Sequence, residues 1–165
     1  MIAGSDDLNG LRDAEVAFRV APSEETKQAV IAAAVDLLVR GFEGDNLAIL
    51  AGEDRSETHE FLRYLALTIE ELGLDPLDDQ QAALVRIHNL AEGIEREMIE
   101  PREAADAIWH AFLTSKSDLP AVTRLAFLAD AFDDGYATWG PPLEAFRAGV
   151  HDYLNETRSR DTHRR

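Results

Sequence analysis

Apolar residues recur three and four positions apart along most of the chain, which is the spacing of one face of an α-helix. No stretch shows the alternating pattern of a half-buried strand. Ser23, Asp45 and Pro101 each precede or begin an apolar stripe and are typical of helix starts. Glycines and prolines separate the stripes at short intervals. The sequence therefore predicts an all-α protein, a single compact array of seven to eight short helices.

The stretch 29–39 is the longest apolar run of the chain. One stripe runs along it, and Ile31, Val35 and Val39 widen that stripe almost all the way round the helix. A helix that is apolar on every side is usually buried. The run is about half as long as a membrane span and contains Asp36, so we expect a central, well-buried helix and not a membrane segment.

The connections between the predicted helices are short, and none reads as a linker. We therefore expect one helical domain over residues 1–157. The last eight residues, 158–165, carry four Arg and one Asp. This segment is expected to be a basic tail that frays from the end of the last helix.

The net charge of the chain is -16, and the basic tail makes the remainder more acidic still. Such a surface repels nucleic acids and anionic membranes, so we predict no direct nucleic-acid binding and no membrane binding. It suits a basic protein partner, and it equally suits a surface that only keeps the protein soluble.

The chain has no cysteine, which excludes disulfides and thiolate metal sites and agrees with a reducing compartment. Its first residues lack the basic and apolar regions of a signal peptide. We therefore expect a cytoplasmic protein. Nucleotide-binding glycine loops and nucleophile elbows are missing from the sequence, and no cofactor is predicted.

The histidines offer two weak candidates for chemistry. The pair His151–Asp152 resembles the ligand pair of metal-dependent phosphohydrolases, and His110 and Asp130 could complete such a site. His88 lies on an apolar helix face, where it could act as a base. We expect it instead to be a core histidine bonded to a backbone carbonyl, and we expect His110 to lie at the surface.

The stretch 128–142, LADAFDDGYATWGPP, combines acidic and aromatic residues where one predicted helix ends. It reads either as a helix stop whose aromatic rings fold back on the core, or as a recognition corner for a basic partner. The candidate contact residues are Asp130, Asp133, Asp134, Tyr136 and Trp139. Glu70 and Glu71 are weaker candidates, because adjacent carboxylates are typical of helix ends.

Four segments carry a family resemblance: DNLAILAGE, FLRYLALTIEELGLD, MIEPREAADAIWHAF and LAFLADAFDD. In this order they resemble an uncharacterised family of small all-helical bacterial proteins, with a Leu-Ala-Gly turn, a Glu-Leu-Gly helix end and a Pro…Ile-Trp helix. Phe132 departs from that pattern, in which a Trp is usual. The resemblance implies a helical fold and a bacterial origin, and it supplies no catalytic residues.

These observations favour a non-catalytic, acidic protein-interaction module over an enzyme. A sharper version is an immunity-like or antitoxin-like protein that binds a basic partner, such as a nucleic-acid-degrading toxin, by charge complementarity. One alternative is a metal-dependent hydrolase that uses His and Asp ligands. Another is a self-assembling structural subunit whose exposed apolar faces drive oligomerisation.

Overall fold

The computed structural model describes residues 8–53, 57–133 and 143–162. These ranges contain eight α-helices and no strand, which confirms the all-α prediction. The helices are α1 Asn9–Val20, α2 Glu24–Val39, α3 Asp45–Gly52, α4 Thr58–Glu71, α5 Asp79–Glu95, α6 Pro101–Ser115, α7 Pro120–Asp133 and α8 Leu143–Thr162. They fall into two compact units, an N-terminal unit over Met1–Asp78 and a C-terminal unit over Asp79–Arg165. The expectation of one domain over 1–157 stays a prediction.

Local signals in the sequence set several helix ends. The Ser23 side chain accepts a hydrogen bond from the Thr26 backbone N–H, and the Thr26 hydroxyl accepts one from the Ser23 N–H, which forms a capping box at α2. Pro101 is in the first turn of α6, where its missing N–H costs nothing. Gly41 and Gly73 have φ values of 89° and 69°, and their left-handed backbone ends α2 and α4.

The N-terminal unit is built by helices that pack on their neighbours in the chain, α1 on α2, α2 on α3 and α3 on α4. All four contribute to one apolar core, in which the rings of Phe18 and Phe61 meet edge to face with centroids 5.0 Å apart. The buried core residues are Leu11, Phe18, Val30, Ala34, Leu37, Leu47, Leu50, Phe61, Leu65 and Ile69. Short helices of this kind depend on such shared burial for their stability.

Helix α2 is less buried than its composition predicts. Val30, Ala34 and Leu37 are buried, but Val35 is 43% and Val39 80% exposed. The prediction of a well-buried central helix is therefore wrong for Val35 and Val39, which the packing of α2 leaves exposed. Within the described ranges, no helix has both the length and the apolar character that a membrane crossing requires.

The C-terminal unit is a ring of four helices. Helix α5 packs on α6 and α8, and α7 packs on α6 and α8, so each helix has two neighbours as in a four-helix bundle. Phe132 stacks on Phe146 with ring centroids 5.1 Å apart. Gly149 allows a close approach of α8 to α7, because a Cβ atom there would collide with the Leu128 side chain.

The basic segment after residue 157 is helical over 158–162, and the expectation that this tail frays stays a prediction. Helix α8 continues to Thr162, and 163–165 lie outside the described residues. Arg158 has a guanidinium nitrogen 3.6 Å from a carboxylate oxygen of Glu92 on α5. This ion pair connects the end of α8 to α5.

The start of α3 is capped from another helix. Gly44 is the N-cap and has no side chain to offer, so the prediction that Asp45 caps this helix is wrong. The Glu71 carboxylate, at the end of α4, accepts hydrogen bonds from the backbone N–H groups of Leu47 at 3.0 Å and Asn46 at 3.3 Å. A negative charge at a helix N-terminus is stabilised by the helix dipole as well as by these donors. Glu71 thus has the capping role expected of it, on α3 and not on its own helix.

Replacing Glu71 tests this cap. We expect Glu71→Ala to lower the free energy of unfolding by about 1–2 kcal/mol, because two backbone N–H groups of α3 lose their acceptor. The neighbouring Glu70 is exposed, so Glu70→Ala should change the free energy of unfolding by less than about 0.5 kcal/mol. Urea denaturation followed by circular dichroism measures both.

We expect Gly44→Ala to lower the free energy of unfolding for the same reason, the loss of the cap on α3. The Gly44 φ of 174° suits any residue, but an added Cβ would collide with the Glu71 carboxylate and displace it from the helix end. Equal stability of the Glu70 and Glu71 variants, with Gly44→Ala unaltered, would show that α3 needs no cap from α4.

Candidate interaction surfaces

The acidic charge of the chain is concentrated in its N-terminal unit. Residues 1–78 contain 17 Asp and Glu against 6 Lys and Arg, a net charge of -11. Residues 79–165 contain 15 against 10, a net charge of -5. The first unit therefore carries about two-thirds of the excess negative charge in fewer residues.

Packing makes the accessible surface of the N-terminal unit more acidic than these totals suggest. Glu15 is fully buried, and its two carboxylate oxygens bind Arg12 at 2.6 Å and Arg19 at 2.9 Å. The two arginine side chains are only 18% and 16% exposed. A buried carboxylate requires such compensation, so two cations are committed to the interior side of α1.

Lys27 is a third cation withdrawn from the surface. The residue is 8% exposed, and its ammonium nitrogen lies 5.4 Å from the centre of the Phe61 ring. This distance suits a cation–π interaction. Three of the six basic residues of the N-terminal unit are thus withdrawn from the surface, while exposed carboxylates remain.

Several of these exposed carboxylates meet where α4 ends and α3 begins. The cap formed by Glu71 brings the last turn of α4 next to the first turn of α3. Glu43 and Asp45 flank Gly44, and Glu70 precedes Glu71; all three side chains are exposed. We call Glu43, Asp45 and Glu70 the acidic corner. Of the two weaker sequence candidates, Glu70 lies in it and Glu71 is occupied by the helix cap.

A second surface lies on α6 and α7 of the C-terminal unit. The rings of Trp109, Phe112 and Phe127 contact one another, with centroids 5.7 to 6.2 Å apart. Phe127 is 56% exposed and the other two are partly exposed. Leu113, one turn after Trp109, is 54% exposed. Large apolar side chains clustered at a surface are typical of interaction sites, and we call the three rings the aromatic patch.

The leading sequence candidates fall largely outside the described residues. Asp134, Tyr136 and Trp139 lie outside them, and so does the side chain of Asp133. Asp130 is described: it is half-buried on α7, one turn after Phe127. The structure thus places one member of the predicted corner beside the aromatic patch.

The histidines of the C-terminal unit contact carboxylates. His151 Nδ1 lies 2.9 Å from Glu95 Oε1, and His110 Nε2 lies 3.2 Å from Asp106 Oδ1. His110 is at the surface as expected. Within the described residues, no group of three or more His, Asp or Glu side chains could hold a metal ion. The pair His151–Asp152 therefore has no ligand set around it in this part of the chain.

His88 is not the buried histidine that its position predicts. Its side chain is 39% exposed, with Nε2 3.9 Å from Glu92 Oε1. Its ring meets Tyr153 of α8 edge to face, at 6.1 Å between centroids. The described contacts of His88 are thus with a carboxylate of its own helix and an aromatic ring of α8.

Comparisons with known proteins give no relative: no family model, no curated protein and no solved structure matches this chain. The family resemblance of the four segments therefore assigns no role to any residue.

Two residues that shape these surfaces could have been recognised from the sequence, although helical periodicity alone does not identify them. Glu15 falls on the apolar stripe of Leu11 and Phe18, with Arg at both neighbouring turns, which is the pattern of a buried and compensated carboxylate. Phe127 falls off the apolar stripe of its own helix, which is the pattern of an exposed aromatic.

Tyr153 provides a test of burial in the C-terminal unit by pH. The residue is 5% exposed, and burial raises its pKa from 10.0 to about 12. The folded state therefore favours the neutral phenol. The contribution of this preference to the free energy of unfolding is fully present below pH 10. As pH rises from 10 towards 12 the unfolded chain ionises first, so the free energy of unfolding should fall by about 1.4 kcal/mol per pH unit.

Chemical denaturation at several pH values, with phenolate absorbance recorded in parallel, measures this fall. Tyr153→Phe keeps the ring and removes the ionisable group, so its stability should fall less steeply in the same window. Parallel curves for the two proteins would show that burial does not hold the phenol neutral.

Proposed function

We propose that this protein is a non-catalytic, acidic protein-interaction module whose N-terminal unit binds a basic protein partner. The observation that carries the proposal is the withdrawal of Arg12, Arg19 and Lys27 from the surface. In the described part of this unit, exposed carboxylates outnumber the exposed cations Arg40 and Arg63, which favours a negative surface potential. Such a potential steers an oppositely charged partner and raises the rate of association.

The acidic corner is the leading contact region on this unit. Asp45 and Glu70 belong to the two helices that the Glu71 cap holds together, and Glu43 lies in the connection just before α3. The backbone positions of Asp45 and Glu70 are therefore set before a partner binds, which lowers the entropy cost of ordering this surface. Glu71 itself contributes to this surface through the position of α3 and not through a free carboxylate.

The finer version of the proposal is an immunity-like protein of the bacterial cytoplasm that binds a basic toxin. A protein that inhibits a nucleic-acid-degrading enzyme must compete with a polyanion, and an acidic surface is suited to that competition. The acidic and aromatic segment around residues 130–139 remains the second contact candidate in this version.

Capture of partners from the native lysate tests the proposal. The tagged protein should retain a basic protein in stoichiometric amount at low salt and release it at high salt, because exposed charge pairs are screened. Glu43→Gln, Asp45→Asn and Glu70→Gln together should raise the dissociation constant by about tenfold, at roughly 0.5 kcal/mol for each exposed charge, and so lower the amount captured when the tagged protein is dilute. Quantitative mass spectrometry of the eluates measures both effects.

A matched variant removes three exposed carboxylates from the C-terminal unit instead. Asp118→Asn, Glu144→Gln and Asp152→Asn reduce the negative charge by the same amount and should leave capture nearly unchanged. Equal losses in the two variants would refute a localised contact on the N-terminal unit. Absence of any salt-released basic protein would refute the proposed function itself.

A further inference from the structure

The aromatic patch has opposite charges at its two ends. Asp106 lies one turn before Trp109 on α6, and Asp130 lies one turn after Phe127 on α7. Because a short connection joins α6 to α7, the two helices are antiparallel, and both aspartates flank the same end. Lys116 and Arg124 flank the other end. Among the charges nearest the rings, two acids thus lie at one end of the patch and two cations at the other; the exposed Arg102 and Asp118 lie farther out, beyond Asp106 and Lys116.

These charges are spaced evenly about the aromatic rings. Asp106 and Lys116 are ten residues apart, roughly 15 Å along α6. On α7, Arg124 and Asp130 lie three residues to either side of Phe127, so the exposed ring is midway between them. If a second copy of this surface is turned end to end and laid on the first, the aspartates of each copy lie opposite the basic residues of the other.

The geometry points to a second copy of this chain as the occupant of the aromatic patch. In a face-to-face dimer with its two-fold axis across α6 and α7, each helix lies antiparallel on its equivalent. Asp106 then faces Lys116 of the second copy, Asp130 faces Arg124 of the second copy, and the two Phe127 rings meet near the axis. A two-fold axis parallel to the helices would instead place Asp106 opposite Asp130 of the second copy. The charges therefore favour the axis that crosses the helices.

The pair of Asp106 and Lys116 gives the clearer test of the two. Arg124 also forms an ion pair with Glu156 of α8, so its charge is shared with another helix. Asp106 instead contacts His110 one turn along its own helix, and both side chains are 61% exposed. Lys116 is exposed at the C-terminal end of α6.

Sedimentation velocity of the full chain over a range of concentrations tests the apolar contact of the proposed dimer. The wild type should show a concentration-dependent shift from monomer to dimer. Phe127→Ser should raise the dissociation constant by about 30-fold or more, which is the effect of losing a central contact residue. Met98→Ser is the matched control: Met98 is 76% exposed in the same unit outside the patch, and its loss should change nothing.

Charge exchange tests the arrangement. Asp106→Lys and Lys116→Glu should each weaken the dimer, because each places like charges opposite one another. The double variant Asp106→Lys/Lys116→Glu should restore it at unchanged net charge. Since Asp106→Lys makes the whole chain less negative, general repulsion alone would predict a tighter dimer for that variant.

The outcomes separate the possibilities. A wild type that stays monomeric throughout overturns the proposal. A dimer that Asp106→Lys strengthens, or that the double variant fails to restore, overturns the two-fold arrangement. Thermal melts of all variants, with unchanged helicity by circular dichroism, exclude misfolding as the cause of any loss.

Discussion

Burial of apolar side chains between short neighbouring helices is the constraint on which both units depend. Helices of 8 to 20 residues gain little from their own hydrogen bonds, so each must share an apolar face with a neighbour. In the N-terminal unit this sharing also recruits charged residues, because Glu15 enters the core region and requires Arg12 and Arg19 for compensation. Core packing therefore decides which charges the surface retains.

The fold class followed from the sequence because helical periodicity and end signals agree along the chain. Ser23, Pro101 and Gly73 each have a local mechanism that acts without tertiary help. Features that depend on which helices meet were not readable in this way. The cap on α3 comes from Glu71, 24 residues from Leu47, and the exposure of Val39 depends on which side of α2 its neighbours cover.

The two candidate surfaces differ in physical character. The N-terminal unit presents charge, which acts at a distance and weakens with salt, whereas the aromatic patch presents apolar rings, which act on contact. The sequence predicted an acidic interaction surface but placed it at the cluster of residues 130–139. Among the described residues the stronger signal is the loss of cations from the N-terminal surface, which no count of charges reveals.

The withdrawal of cations from that surface can be measured directly, because Lys27 and Lys116 are the only lysines of the chain. Brief reaction of the native protein with an amine acylating reagent, followed by peptide mass spectrometry, compares the two ammonium groups in one sample. The account predicts that the exposed Lys116 is modified rapidly while Lys27, covered against Phe61, is modified only slowly until the protein is unfolded. Equal rates in the native state would contradict it.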